Sequence, residues 1–257
     1  MTYDEKAAER LERIYQGSDV VAQRANTMKL LDLGTGENVL DIGSGPGFLA
    51  AEMGARVGPR GHVRGIDISE VMVERASRRN ALAWVDFGIG DATNLPEPDS
   101  AYDVVVSTQV AEYVPDIGRF CREACRVLRP GGRAVFLATD WDAIAWHSGD
   151  PARMRAVLDA FGPHCADTRL PRTFARHLRE AGLKVVDVSV FPILNTTWDD
   201  EAYSCQAISF IDAYVRPRKT IPAEILDAWA AEQRALGASG DYYFLSNRIF
   251  FTARRLA

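Results

Sequence analysis

Residues 39–49, VLDIGSGPGFL, constrain this chain more than any other stretch. An apolar, β-branched run carries an acid, Asp41, and then breaks into Gly43, Ser44, Gly45, Pro46 and Gly47. A helical apolar pattern (Phe48, Leu49, Ala50, Ala51, Met53) follows at once. The order is strand, glycine turn, helix. Glycine reaches backbone angles closed to other residues and lets the main chain approach a ligand. The helix start behind the turn offers free N–H groups to an anionic group. A glycine trio alone fits any tight βα turn, so the spacing matters. It reads G-x-G-x-G, whereas the dinucleotide fingerprint is G-x-G-x-x-G/A. Phe48 stands where that fingerprint needs a small residue, which argues against a nicotinamide cofactor.

The rest of the chain repeats the strand–helix alternation. Two helices, 4–16 and 18–33, precede the first strand, with Ser18 and Asp19 as candidate N-caps. Strands are expected at 38–42, 62–68, 84–89, 102–107, 133–139, 183–191 and 242–253. Helices are expected up to about 57 and at 69–81, 117–128 and 172–181. The run YDVVVS at 102–107 is unbroken and apolar, as in a central strand buried on both faces. Such alternation builds a doubly wound, mostly parallel sheet. Residues 141–170 interrupt it without a clean strand pattern. Residues 195–240 read as a helical insertion anchored by Trp198, Tyr203, Phe210, Tyr214 and Trp229.

Composition narrows the partners. A chain of 257 residues has room for one domain with insertions and needs no metal or disulfide staple. Thirty basic against 35 acidic residues speak against nucleic acid, which draws on clustered Lys and Arg. Cys121, Cys125, Cys165 and Cys205 lack C-x-x-C spacing, so no metal is expected. The opening MTYDEKAAERLERI is charged, and no run approaches the ~20 apolar residues of a membrane span. A cytoplasmic protein with no membrane contact is expected.

Three acids, Asp41, Asp67 and Asp91, fall at the ends of three successive strands. Ligands of open α/β sheets bind outside those ends, at the switch in strand order. Asp67 lies twenty residues beyond Gly47, where a carboxylate accepts bonds from a ribose diol. One acid at a strand end is usually a turn residue. Three in register with the glycine turn point to a nucleoside ligand.

The segments VLDIGSGPGFLA (39–50), GIDIS (65–69), GDATNLP (90–96), YDVVVSTQVAEYVPD (102–116) and RVLRPGGRAVFLATD (126–140) together resemble the class I S-adenosylmethionine-dependent methyltransferases of the small-molecule type. The resemblance implies an α/β fold with a seven-stranded, mostly parallel doubly wound sheet of order 3-2-1-4-5-7-6. N-terminal helices and a helical insertion before the last strand complete it. It implies one domain, 1–257: a cover at 1–33, a cofactor half at 34–140, and acceptor segments at 141–170 and 195–240. It implies S-adenosyl-L-methionine as cofactor. Gly43, Ser44, Gly45 and Gly47 would then hold the methionine end, Asp41 the loop and amino group, and Asp67 the ribose hydroxyls. Ile68 would lie against the adenine, Asp91 and Ala92 at its edge, and Gln109 near the ribose and sulfonium. YQGSDVVAQR (15–24) resembles the family's cofactor cover, which gives Tyr15 and Arg24 to the carboxylate.

Methyl transfer from a sulfonium needs alignment, exclusion of water and, for some acceptors, removal of a proton. A small-molecule acceptor is expected among Phe191, Trp198, Tyr203 and Trp229, hence an apolar or aromatic one, methylated at O or N, with C also open. His147, after the fifth strand, is the expected base, with Asp142 orienting it or acting alone. Glu112 and Tyr113 are the next candidates. The absence of an N/D-P-P-Y/F tetrad after the fourth strand, which reads STQV, speaks against nucleic-acid bases as acceptors. Two alternatives stand beside this reading: a non-catalytic binding protein of the same fold, and a nicotinamide-dependent oxidoreductase.

Overall fold

The computed structural model describes residues 5–256. Its centre is a sheet of eight strands: β1 (Asn38–Ile42), β2 (His62–Asp67), β3 (Val85–Ile89), β4 (Tyr102–Thr108), β5 (Leu128–Thr139), β6 (Ala145–Trp146), β7 (Leu183–Asn195) and β8 (Phe244–Arg255). The order is β3-β2-β1-β4-β5-β8-β6, with β7 on the free side of β8. The first five strands run parallel, and β8 is antiparallel to β5, β6 and β7. The expected order is present, with β6 added. That extra strand is two residues long, too short to leave a periodic signature.

Burial explains the parallel core. In β4, Val104, Val105 and Val106 are fully buried, Val105 in the layer under α5 (Ile117–Val127) and α7 (Pro171–Glu180), its two neighbours in the layer under α2 (Ser18–Leu31) and α3 (Phe48–Val57). Helix starts follow their capping chemistry. Ser69 caps α4 (Glu70–Arg79), Asp116 accepts from Arg119 N–H at α5 (2.8 Å), and Asp150 accepts from Arg153 N–H at α6 (Pro151–Phe161; 3.0 Å).

A third apolar layer sits over the C-terminal strand ends. It joins α6, α8 (Tyr203–Val215), α9 (Ala223–Ser239), β6 and the start of β8 to Ile14 of α1 (Glu5–Gln16) and Val20 of α2. Several expected boundaries move. β5 begins at Leu128, because Leu128 already pairs with Tyr102; the Arg129–Gly132 turn then bulges out and pairing resumes at Arg133. β7 runs on to Asn195, into the segment read as insertion. Gly17 caps α2, not Ser18 or Asp19. Asp19 instead accepts from Tyr203 N–H (2.9 Å) and Asn195 Nδ2 (3.1 Å), and so ties the N-terminal helices to the start of α8. No helix among the described residues is long and apolar enough to cross a membrane.

Candidate active site

The β1–α3 turn is built on positive φ: Gly43 at +76°, Gly45 at +52° and Gly47 at +80°. Gly43 lines a cleft that Tyr15 covers, and a Cβ on Gly45 would stand 3.6 Å from the Tyr15 ring, so the turn passes directly under Tyr15. The cleft is lined by Tyr15, Gln23, Arg24, Asp41, Ser44 and Gln109, among others. Asp67 holds the turn in place. Its Oδ2 accepts from Gly45 N–H and its Oδ1 from Ser69 N–H, both at 2.9 Å. The loop support expected of Asp41 thus comes from Asp67. A carboxylate has about four lone-pair sites, so Asp67 keeps acceptor capacity for a diol.

Asp41 is almost fully buried and accepts no hydrogen bond among the described residues. Burial, and then the charge of Asp67, push its carboxyl up to about 7. Burial also raises Asp67, against the opposing pull of the backbone N–H groups of Ser69, Gly45 and Ile68. Ser44 Oγ and Gln23 Oε1 are buried without partners. A cleft with an unsatisfied acid, two orphaned polar atoms and a glycine floor fits a ligand that carries an ammonium group and hydrogen-bonding polar atoms. Along the same sheet edge, Ile68 is 64% exposed, an apolar platform beside Asp67. Asp91 accepts from Thr93 N–H (2.7 Å) and Thr93 Oγ1 (2.8 Å) in the turn after β3, with Ala92 next to it.

Arg24 donates to the Tyr15 carbonyl (2.6 Å) and pairs with Glu52 (2.9 Å), so it joins the two N-terminal helices to α3. Glu12 pairs with Arg75 and Arg79 at 3.1 Å each, which fastens α1 to α4. Gln109 leaves β4 at φ +57° and donates to Thr139 Oγ1 at 2.6 Å.

A second cavity adjoins the cleft, about 760 Å³ with the space open to solvent at its mouth included. Tyr15 and Gln109 line both. Its other walls come from α1 (Leu11, Ile14), residues 141–170 (Trp141, Ile144, Trp146, Leu158, Phe161), α8 (Tyr203, Phe210, Ile211) and Phe244. This is a small-molecule pocket in size and lining. Of the expected acceptor aromatics only Tyr203 lines it. Trp229 packs behind Trp146 with ring centroids 5.3 Å apart, Trp198 packs on Tyr242 at 5.5 Å, and Phe191 lies between two core layers. Trp141, Trp146 and Phe244 were not singled out from the sequence; only the fold brings such distant residues together.

No hydrogen bond or ion pair joins the described His147 and Asp142: Arg172 holds Asp142 (3.2 Å), and both residues, exposed, line an outer cavity behind Trp141 and Trp146. Glu112, by contrast, is fully buried at the end of β5, where its Oε1 accepts from Thr139 N–H (3.2 Å). Burial pushes its carboxyl up to about 7. Among the described residues no group of three or more His, Cys, Asp or Glu is placed to hold a metal ion.

Comparison with known proteins agrees with this geometry. The family described as "Methyltransferase domain" matches residues 40–136. An uncharacterised protein of transposon TN4556 from Streptomyces fradiae is 36% identical over 178 residues, 67% of this chain and 50% of that protein. Demethylmenaquinone methyltransferase of Listeria welshimeri is 37% identical over 146 residues, 55% of this chain and 62% of the enzyme. The chain thus spans between half and just under two thirds of the length of these curated relatives. Among solved structures, a putative methyltransferase from Bacillus halodurans shares the fold with a TM-score of 0.65 at 19% identity, over 92% of this chain and 100% of that one.

Proposed function

We propose that this chain, which carries a class I S-adenosylmethionine-dependent methyltransferase domain, transfers a methyl group from S-adenosyl-L-methionine to a small, largely apolar or aromatic acceptor, at an oxygen or nitrogen. One observation carries the reading: the glycine-floored cleft and the apolar cavity share Tyr15 and Gln109 as common walls. The donor site and a pocket for its acceptor are therefore adjacent.

When bound, the cofactor supplies a methyl group already activated on a sulfonium. The chain's own task is to align the acceptor and keep water out. In this reading the turn at Gly43, Ser44, Gly45 and Gly47 holds the methionine end, with Asp41 pairing the ammonium. Asp67 takes the ribose hydroxyls on its remaining lone pairs, Ile68 packs on the adenine, and Asp91 and Ala92 meet its edge. Tyr15, held by Arg24, closes the carboxylate end, and Gln109 stands between donor and acceptor. Residues 1–33 act as the cover and 34–140 as the cofactor half. Residues 141–170 and 195–240 are the acceptor segments, in keeping with their share of the cavity wall. Proton removal does not rely on His147 and Asp142 in this reading, since neither lines the inner cavity. The four free cysteines suit a reducing, cytoplasmic setting.

The test is incubation with methyl-labelled S-adenosylmethionine and a panel of aromatic acids, phenols and amines. Label is expected in at least one acceptor, with S-adenosylhomocysteine formed in step. A protein that binds the cofactor and labels none of the panel contradicts the acceptor class. One that binds no cofactor contradicts the reading as a whole.

A further inference from the structure

The cavity walls are apolar, but directly behind two of them, Gln109 and Tyr203, lies a group of buried polar side chains, Thr139, Glu112 and Arg248, that no cofactor role uses. Thr139 organises them. Its N–H donates to Glu112 Oε1 (3.2 Å), its hydroxyl accepts from Gln109 Nε2 (2.6 Å), and the antiparallel register sets Arg248 of β8 directly opposite it. Arg248 is fully buried, and none of its three guanidinium nitrogens has a hydrogen-bond partner. Glu112, also fully buried, has no partner for Oε2. The two opposite charges attract each other, yet no ion pair joins them. The Arg248 guanidinium lies 4.5 Å over the ring of Tyr203, which lines the cavity. Trp141 and Trp146, two more lining residues, turn their indole N–H groups toward Glu112 and Tyr242.

An unpaired guanidinium is among the costliest groups to bury, and a face-on tyrosine offsets only part of that cost. An apolar side chain of similar length would fill the space at no such penalty. Local choices that work against the fold mark functional sites.

We propose that Arg248 recognises an acidic oxygen group on the methyl acceptor, so that the substrate has an apolar body held by the cavity walls and a carboxylate or ionised hydroxyl that reaches the guanidinium. The proposal rests on the reading of this cavity as the acceptor site. A guanidinium presents its donors as a fork that matches paired oxygens. Glu112, held up at about 7 by burial, takes up a proton near neutral pH instead of repelling an incoming anion.

The test uses the full chain saturated with S-adenosylhomocysteine and three matched probes: 4-ethylbenzoate, the readily ionised 4-ethyl-2-nitrophenol and the uncharged 4-ethylbenzamide. Wild type is expected to bind an acidic probe at least about tenfold more tightly than the amide, the effect of one charge-assisted bond. Which acid is preferred tells a carboxylate from a hydroxyl. Arg248→Met is expected to abolish the preference, and Arg248→Lys to keep part of it. Without ligand, Arg248→Met should melt at or above wild type, because it removes an unpartnered buried charge. Equal binding of acidic and neutral probes, or binding of none, overturns the proposal. So does an Arg248→Met protein that melts well below wild type or fails to fold, since Arg248 would then be half of a structural, water-bridged pair. Binding of S-adenosylhomocysteine is measured first. Its failure removes the functional reading, whereas a cofactor-binding protein indifferent to acidic probes loses only the role given to Arg248.

Discussion

Cofactor affinity should depend on pH through Asp41. Its carboxyl titrates at about 7 in the ligand-free fold, raised by burial and by Asp67. The ammonium of S-adenosylhomocysteine stays charged through the acidic range and pairs only with the ionised carboxylate. A raised acid is protonated below its folded pKa, so affinity must fall as pH drops below about 7. Each pH unit below that point costs about tenfold. From pH 8 to pH 5.5 the ionised fraction falls roughly 30-fold, or about 2 kcal/mol of binding free energy. Near pH 6, binding should release close to one proton, visible as a heat that varies with the ionisation enthalpy of the buffer. Asp41→Asn removes the titration and the charge together. Its affinity at pH 8 should be weaker by about 1.5–3 kcal/mol, and its profile nearly flat. Calorimetry across this range checks both. An affinity for wild type that is constant from pH 5.5 to 8, or an Asp41→Asn profile as steep as wild type, refutes the pairing of Asp41 with the ammonium.

Asp67→Ala removes two ribose contacts and the anchor of Gly45 N–H. At about 1.5–3 kcal/mol per charge-assisted bond, calorimetry should show at least a hundredfold loss of affinity, and unaltered binding would sink the role of Asp67. Glu12→Ala frees α1 from Arg75 and Arg79. Partly buried pairs at a helix surface contribute about 1 kcal/mol each, so a few-fold weaker cofactor binding is expected, with faster proteolysis of the first helix and no change in the melting of the sheet. His147→Ala should keep near-full turnover on the true acceptor, because the side chain lies outside the inner cavity. A loss of 10² or more in turnover would return His147 to the role of base.

The half of the proposed site that would hold the donor is legible because local geometry writes its turn and strand ends into the sequence. Three glycines are needed where φ is positive, acids sit where strands end, and an unbroken valine run marks a strand buried on both faces. The acceptor half is not, because long-range contacts build it. Trp146 lies on a two-residue strand, Asp19 left its expected capping role to hold Tyr203 N–H, and Trp229 went behind the wall instead of into it. Arg248 carried a signal that was overlooked. In FLSNRIF, Phe244, Ser246, Arg248 and Phe250 share one face of the strand, and that face is buried. Period-two alternation that places an arginine between two core phenylalanines marks a buried charge. Glu112, a secondary candidate from its place after β4, is the buried titratable group that faces Arg248's charge.

The central claim is that the glycine-floored cleft holds S-adenosylmethionine beside an acceptor pocket. Titration calorimetry of the full chain with S-adenosylhomocysteine, and separately with reduced nicotinamide dinucleotide, tests it most directly. One-to-one binding of S-adenosylhomocysteine with a rise in melting temperature, and no heat from the dinucleotide, is the expected result. Binding of the dinucleotide in place of S-adenosylhomocysteine, or of neither, contradicts it.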